Sequence, residues 1–221
     1  MPVRGIIFDM DGTMIDSMPW HQKSWIAFCE RRGLDIDVPD LMRRTTGRTG
    51  VECMVELFGG LPPEQAQAFV DEKEGIYREL FAPVFAEIAG FKAFLGQAQS
   101  RGLAVGVGTA GDRHNQAFAY RHLALGQTLP TVGGDEGLPG KPEPAIFLEV
   151  ARRLGVAPEH CIVFEDAPLG IEAARRAGMR AVGICSSHGA DELDGPHVLT
   201  RVPDYQTLIH NRFLETVHAT A

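Results

Sequence analysis

The chain lacks the cysteine spacing of a zinc cage or a disulfide framework: Cys29, Cys53, Cys161 and Cys185 lie far apart, with no Cys-x-x-Cys pair and no His-rich tract beside them. They read as reduced, partly buried thiols. A basic stripe is also missing, the formal net charge being −8, which excludes the usual grip on a nucleic-acid backbone. A small anionic substrate is not excluded, because a metal ion, a few lysines and helix N-termini make a site locally positive on an acidic protein. No run of roughly 18 apolar residues is present to span a membrane. The N-terminus runs straight into a strand-like segment, without a charged leader and long apolar stretch. These absences predict a soluble, cytoplasmic protein with neither nucleic-acid nor membrane partner. Internal repeats and low-complexity tracts are absent as well.

What is present is ordinary globular material, 44% hydrophobic and 23% charged over 221 residues. That length suits one α/β core plus a smaller unit, at roughly 100–200 residues per domain. Short β-branched apolar runs alternate with helical periodicity, the pattern of βαβ units on a parallel sheet. Strands are expected at Val3–Phe8, Leu103–Gly108, Cys161–Phe164, Ala181–Ile184 and Val198–Val202. Helical spacing marks Phe91–Arg101, Asn115–Leu123, Ala145–Leu154 and Ile171–Ala177, several closed by a glycine such as Gly102, Gly155 or Gly178. Right-handed crossovers then place helices on both faces of the sheet. One block breaks the alternation: residues 16–82 carry no strand pattern, only helical stretches at Trp20–Arg32, Val51–Phe58 and Pro63–Phe81. An all-helical insert directly after the first strand would sit over the C-terminal edge of the sheet, as a lid. Beyond about Arg212 the signals are weak and the tail is expected to fray.

Chemistry concentrates at the strand ends. Gly5-Ile6-Ile7-Phe8-Asp9-Met10-Asp11-Gly12-Thr13 delivers two carboxylates, two residues apart, at the mouth of a buried strand. Alternating side chains share a face, so Asp9 and Asp11 would repel unless a cation or a shared proton relieves them. An Asp-Gly pair is equally a common turn signal. Val107-Gly108-Thr109-Ala110-Gly111 is a second strand end, where a hydroxyl and open amides would hold phosphoryl oxygens, or where a glycine turn merely leads into a helix cap. Lys141, in Gly140-Lys141-Pro142-Glu143-Pro144, stands ahead of a rigid helix start, where a fixed ammonium would neutralise a phosphoryl group or a carboxylate. Ile162-Val163-Phe164-Glu165-Asp166 ends in a further acidic pair, hard oxygen donors of the kind magnesium prefers.

The ordered set Asp9-x-Asp11-Gly12-Thr13, Thr109, Gly140-Lys141-Pro142-x-Pro144 and Glu165-Asp166-x-x-x-Gly170-Ile171-x-Ala173-Ala174 resembles the haloacid dehalogenase-like superfamily. Within it the chain is similar to the helical-cap (C1) branch of beta-phosphoglucomutase and the sugar-phosphate phosphatases. The resemblance implies a Rossmann-like three-layer core over residues 1–15 and 83–221, with a helical cap over 16–82. It implies that Asp9 attacks phosphorus and becomes an aspartyl phosphate, while Asp11 protonates the departing oxygen and then takes a proton from the acceptor. Its place beside Asp9 predicts a raised Asp11 pKa, the neighbouring negative charge favouring the acid form. Asp9, the Asp11 backbone carbonyl and Asp166 would hold Mg2+, with Glu165 as helper, while Thr109 and Lys141 grip the transferring oxygens. Dehalogenases of the superfamily would have little use for Asp11 or for Glu165-Asp166, since a halide leaves without a proton.

The same resemblance directs attention to the cap. His21 stands where the mutase has a histidine and would couple closure to acid–base alignment. Thr46, Gly47 and Arg48 fall in the loop that selects substrate, and Lys73 aligns with a lysine that binds a distal phosphate. Gly50, rather than an arginine, stands three residues after Gly47, so a second phosphate loses its expected partner. Thr13 is the residue usual in phosphatases where the mutase carries valine. Hydrolysis of a small phosphorylated metabolite, a sugar phosphate, is therefore the expected activity, by a monomer or weak dimer; a phosphomutase and a noncatalytic binding module are the alternatives.

Overall fold

Gly5-Ile6-Ile7-Phe8 is apolar on both faces, which suits a strand covered above and below, and it forms β1 (Gly5–Phe8) at the middle of the sheet. The computed structural model describes residues 2–125 and 129–218. Between β1 and the next strand come α1 (Met18–Arg31), α2 (Val38–Thr45), α3 (Gly50–Phe58) and α4 (Pro63–Phe81), the strandless insert expected from the sequence. The chain then alternates: α5 (Phe91–Ser100), β2 (Ala104–Gly108), α6 (Arg113–Leu123), β3 (Thr131–Val132), α7 (Ala145–Leu154), β4 (Cys161–Glu165), α8 (Pro168–Arg176), β5 (Arg180–Ile184) and β6 (Val198–Val202). Two helices close it, α9 (Tyr205–His210) and α10 (Phe213–His218).

All pairings are parallel, in the order β3-β2-β1-β4-β5-β6, so the winding direction reverses between β1 and β4. A ligand crevice forms at such a reversal, outside the carboxyl ends of the strands. Phe8 lies opposite Val107 on one side and Phe164 on the other, and this register brings Asp9, Thr109 and Glu165 to one edge. Phe8, Phe91, Phe94, Phe164 and Tyr205 pack one face of the sheet, while Ile7, Phe147, Val163 and Ile171 pack the other, giving three layers. The insert has its own apolar centre, built around Trp25, Phe28, Leu41, Met54 and Val70.

Three elements depart from the expectation. Helix α2 carries too few apolar positions to stand out by periodicity, yet its start is legible in the Asp37 side chain, which accepts from the Asp40 amide, and in Pro39 within the first turn. Strand β3 is two residues long and exists only because β2 offers it a partner. The tail is not frayed through residue 218: α10 seats Phe213, Leu214 and Val217 in the core, and burial of that apolar face outweighs its weak propensity. Residues 219–221 of that expectation lie outside the described residues.

Candidate active site

The centre of the site is a lysine among carboxylates. Asp9 continues β1 by one residue, its amide donating to Phe164 O at 2.9 Å, and its side chain turns into the crevice. There Lys141 Nζ, fully buried, donates to Asp9 Oδ1 at 2.5 Å and to Glu165 Oε1 at 2.6 Å. The other oxygen of Glu165 accepts from the Ala167 amide at 2.8 Å. Asp166 stands alongside, and oxygens of Asp9, Glu165 and Asp166 all lie within 4.8 Å of one another. Only glycine is tolerated at position 12: φ is +73°, and a Cβ there would collide with the Asp166 carboxylate.

One ammonium does not neutralise three carboxylates. Burial, opposed by Lys141 but aided by Glu165 and Asp166, holds the Asp9 pKa well above the usual carboxylate range. Burial and then Glu165 push Asp166 up to about 8. Lys141 is held above its ordinary value, because the charges of Asp9 and Glu165 overcome the burial that opposes them. A buried set of hard oxygen donors with uncompensated negative charge is the environment a small divalent cation fits.

These shifts have a measurable consequence. A carboxyl group whose pKa is raised on folding contributes stability that is complete below its unfolded value, about 4, and is lost as pH rises through the folded value. For Asp166 that upper limit is about 8. Protein stripped of divalent ions should therefore melt at a lower temperature at pH 8 than at pH 5.5, and saturating Mg2+ should flatten the difference by neutralising the cluster. Scanning calorimetry across that range checks it; a metal-free profile that is level or rises with pH contradicts it.

Asp11 corrects the sequence reading. Its Oδ1 accepts from Ser17 Oγ at 2.7 Å, His21 Nε2 at 3.1 Å and Tyr77 OH at 3.4 Å. Its pKa is lowered, not raised: burial pushes it upward, but His21, Ser17 and the Lys73 charge together outweigh burial. The Asp11 side chain thus turns to the helical insert and stays out of the acidic cluster. His21 is itself fixed on two sides. Lys73 Nζ lies 2.7 Å from Nδ1, and the Tyr77 ring stacks on the imidazole with centroids 3.8 Å apart and planes at 9°. An ammonium only donates, so Nδ1 accepts and the ring proton resides on Nε2, pointing at Asp11. Lys73 spends a second hydrogen on Glu74 Oε1 at 2.8 Å and is buried in the wall of the crevice.

Elsewhere the expected residues gather around the same crevice. Thr109 is buried, and its Oγ1 accepts from the Gly111 amide at 2.9 Å, so that amide is taken by the turn itself while the hydroxyl hydrogen stays available. In the loop between α2 and α3, Thr46 Oγ1 donates to Met42 O at 2.7 Å and Arg48 Nη1 lies 3.4 Å from Glu56 Oε2. Gly47, at φ +92°, brings this loop over Lys141, a Cβ there lying 3.6 Å from Lys141 Cδ. His21, Thr46, Arg48, Lys73 and Ala110 line one cavity of about 100 Å³ with Asp9, Asp11 and the acidic pair. Two contributors have no motif to announce them. Asn115 links α6 to the insert, Nδ2 donating to Glu74 Oε2 and Oδ1 accepting from Arg78 Nη1, both at 2.7 Å. Ser187 reaches Asp166 from the turn after β5, and only the rule that strand ends share an edge would have flagged it.

A family model described as haloacid dehalogenase-like hydrolase matches residues 3–178. Fructose-1-phosphate phosphatase of Escherichia coli is 34% identical over 184 residues, spanning 81% of this chain and 95% of that protein. Beta-phosphoglucomutase of Bacillus subtilis is 30% identical over 194 residues, spanning 82% and 83% of the two. Among solved structures, a hydrolase from Pseudomonas syringae superposes with a TM-score of 0.84 at 24% identity, over 95% of this chain and 97% of that one.

Proposed function

The chain belongs to the haloacid dehalogenase-like hydrolase family, and from that membership we propose that it is a Mg2+-dependent phosphatase of small sugar monophosphates working through an aspartyl phosphate. Residues 1–15 and 83–221 carry the chemistry in this reading, and residues 16–82 cap it and select the substrate. The observation that carries it is the Lys141 ammonium shared between Asp9 and Glu165, with Asp166 beside them at the reversal of the sheet. The side chains of Asp9 and Asp166, with the Asp11 backbone carbonyl, would hold the metal, Glu165 assisting through what its two engaged oxygens leave free. Bound there, Mg2+ supplies charge neutralisation to the phosphoryl oxygens.

Lys141 opposes the burial that raises the Asp9 pKa, and its ammonium with a bound Mg2+ would favour the ionised form that attacks. An Asp9 oxygen forms a bond to phosphorus as the ester P–O bond breaks, and Asp11 gives its proton to the departing sugar oxygen. Water then attacks phosphorus and yields a proton to Asp11, the Asp9–phosphorus bond breaks, and inorganic phosphate leaves. Thr109 donates its free hydroxyl hydrogen to a transferring oxygen, with the Ala110 amide beside it. The ionised Asp11 of the resting site is the base of the second half. Arrival of a dianionic ester next to it favours the protonated form the first half needs. His21, held by Lys73 and Tyr77, keeps the carboxylate aimed in both.

Hydrolysis is favoured over mutation because the insert's two cations at the cavity, Lys73 and Arg48, are already paired with Glu74 and Glu56, leaving no ready partner for a second phosphate. Release of inorganic phosphate from sugar monophosphates, abolished by a chelator and restored by Mg2+, is the test. Conversion of glucose 1-phosphate to its isomer without phosphate release overturns it. Asp11→Asn is expected to slow sugar phosphates by about 10²–10⁴-fold, and p-nitrophenyl phosphate less, since that leaving group departs unprotonated. Equal losses on both substrates count against the acid role.

A further inference from the structure

Asp166 is held on both carboxylate oxygens from outside the acidic cluster. Thr13 Oγ1 donates to Oδ1 at 3.3 Å, a long bond, while Ser187 Oγ donates closely to Oδ2. Ser187 Oγ also lies 3.1 Å from the Asp166 main-chain oxygen and 2.8 Å from His188 Nδ1, and that nitrogen is 2.9 Å from the same carbonyl. A hydroxyl has one hydrogen to give and the carbonyl only accepts. The contacts are mutually satisfied when His188 carries its proton on Nδ1, shared between the Asp166 carbonyl and Ser187 Oγ, so that the serine hydrogen is left for Oδ2.

The tertiary setting makes this a tether. Glu165 pairs with Gly183, so the turn that follows β5 passes over the end of β4. Ser186 in the same turn donates through its hydroxyl to Gly12 O, binding the turn to the end of β1 as well. Asp166 itself is buried beside Glu165, whose negative charge would drive an unrestrained carboxylate away.

We propose that Ser187, oriented by His188, is a positioning residue for Asp166, holding Oδ2 so that this carboxylate faces Asp9 and completes a divalent-cation site; the inference rests on the metal-dependent reading above. Groups that orient a ligand in this way are each worth about 10–100-fold in metal affinity.

Binding of Mn2+ alone to the full chain, read from the electron paramagnetic resonance of the free ion, reports on the site without turnover. Ser187→Ala is expected to weaken Mn2+ binding by about 10–100-fold and to raise the Mg2+ concentration needed for activity, while KM for the phosphate ester at saturating Mg2+ stays at the wild-type value. Ser187→Thr, which keeps the hydroxyl, restores affinity. His188→Asn, which keeps a donor near Nδ1, binds Mn2+ more tightly than His188→Leu, and this pair decides the matter should Ser187→Ala fail to fold. Equal Mn2+ affinity in wild type and Ser187→Ala overturns the inference and leaves the proposed function standing. A wild-type chain that binds no Mn2+ overturns both.

Discussion

Asp9→Asn is expected to lower kcat by at least about 10⁴-fold, the scale seen when a nucleophile is removed from a site that otherwise stays assembled. The amide has nearly the shape of the carboxylate but no charge to present to phosphorus. The folded state should not suffer. Burial first, and then Glu165 and Asp166, raise the Asp9 pKa strongly against the pull of Lys141, so its charged form is tolerated rather than favoured. Replacing it by a neutral isostere removes the cost of burying that charge and the repulsion, and Lys141 keeps Glu165 as a partner at 2.6 Å. The melting temperature of metal-free protein should hold steady or rise, and the Mg2+-induced gain in stability should shrink. Calorimetry with and without Mg2+, beside a phosphate-release assay, separates the possibilities. A variant that fails to fold makes Asp9 structural, and one that keeps turnover removes it from the chemistry.

Lys141→Met should act in the opposite direction on stability. Methionine approximates the length of lysine without its charge, so Asp9, Glu165 and Asp166 would lose their buried counter-charge. Breaking a buried ion pair from one side costs about 3–5 kcal/mol. For a chain of this size that is a fall in melting temperature of roughly 6–20 °C. Much of the loss should return with saturating Mg2+, because a cation neutralises the same carboxylates. Turnover should not return, since the ammonium that aims Asp9 and grips the transferring oxygens is gone. An unchanged melting temperature in the absence of metal would show that the carboxylates simply take up protons, and that Lys141 serves the reaction without supporting the fold. Together the variants test one electrostatic claim with opposite signs: deleting a carboxylate relieves the site, and deleting its ammonium strains it.

The sequence by itself determined the parallel α/β core, the helical insert after the first strand, and the residue types at each strand end. Those are local properties: apolar runs that cover both faces of a strand, 3.6-residue periodicity, and glycines that turn the chain, as at Gly12. It placed Asp9, Thr109, Lys141, Glu165 and Asp166 in order along the chain, and their chemistry in common suggested one site. Elements held by their neighbours were not legible, and β3 and α10 form because a sheet edge and an apolar core were waiting for them. What only the tertiary structure decided is which partner each charge meets. Asp11, read from its neighbour Asp9 as a carboxyl of raised pKa, is lowered by His21, Ser17 and Lys73 from the insert. Lys73 meets His21 and Glu74 at the cavity wall, and Asp166 is tied by Ser187 from a turn 21 residues away in sequence. The physical reason is one of range. Hydrogen bonds and ion pairs act over a few ångströms, and such distances between remote residues are set by strand register and by how the insert seats on the sheet, neither of which a local pattern encodes.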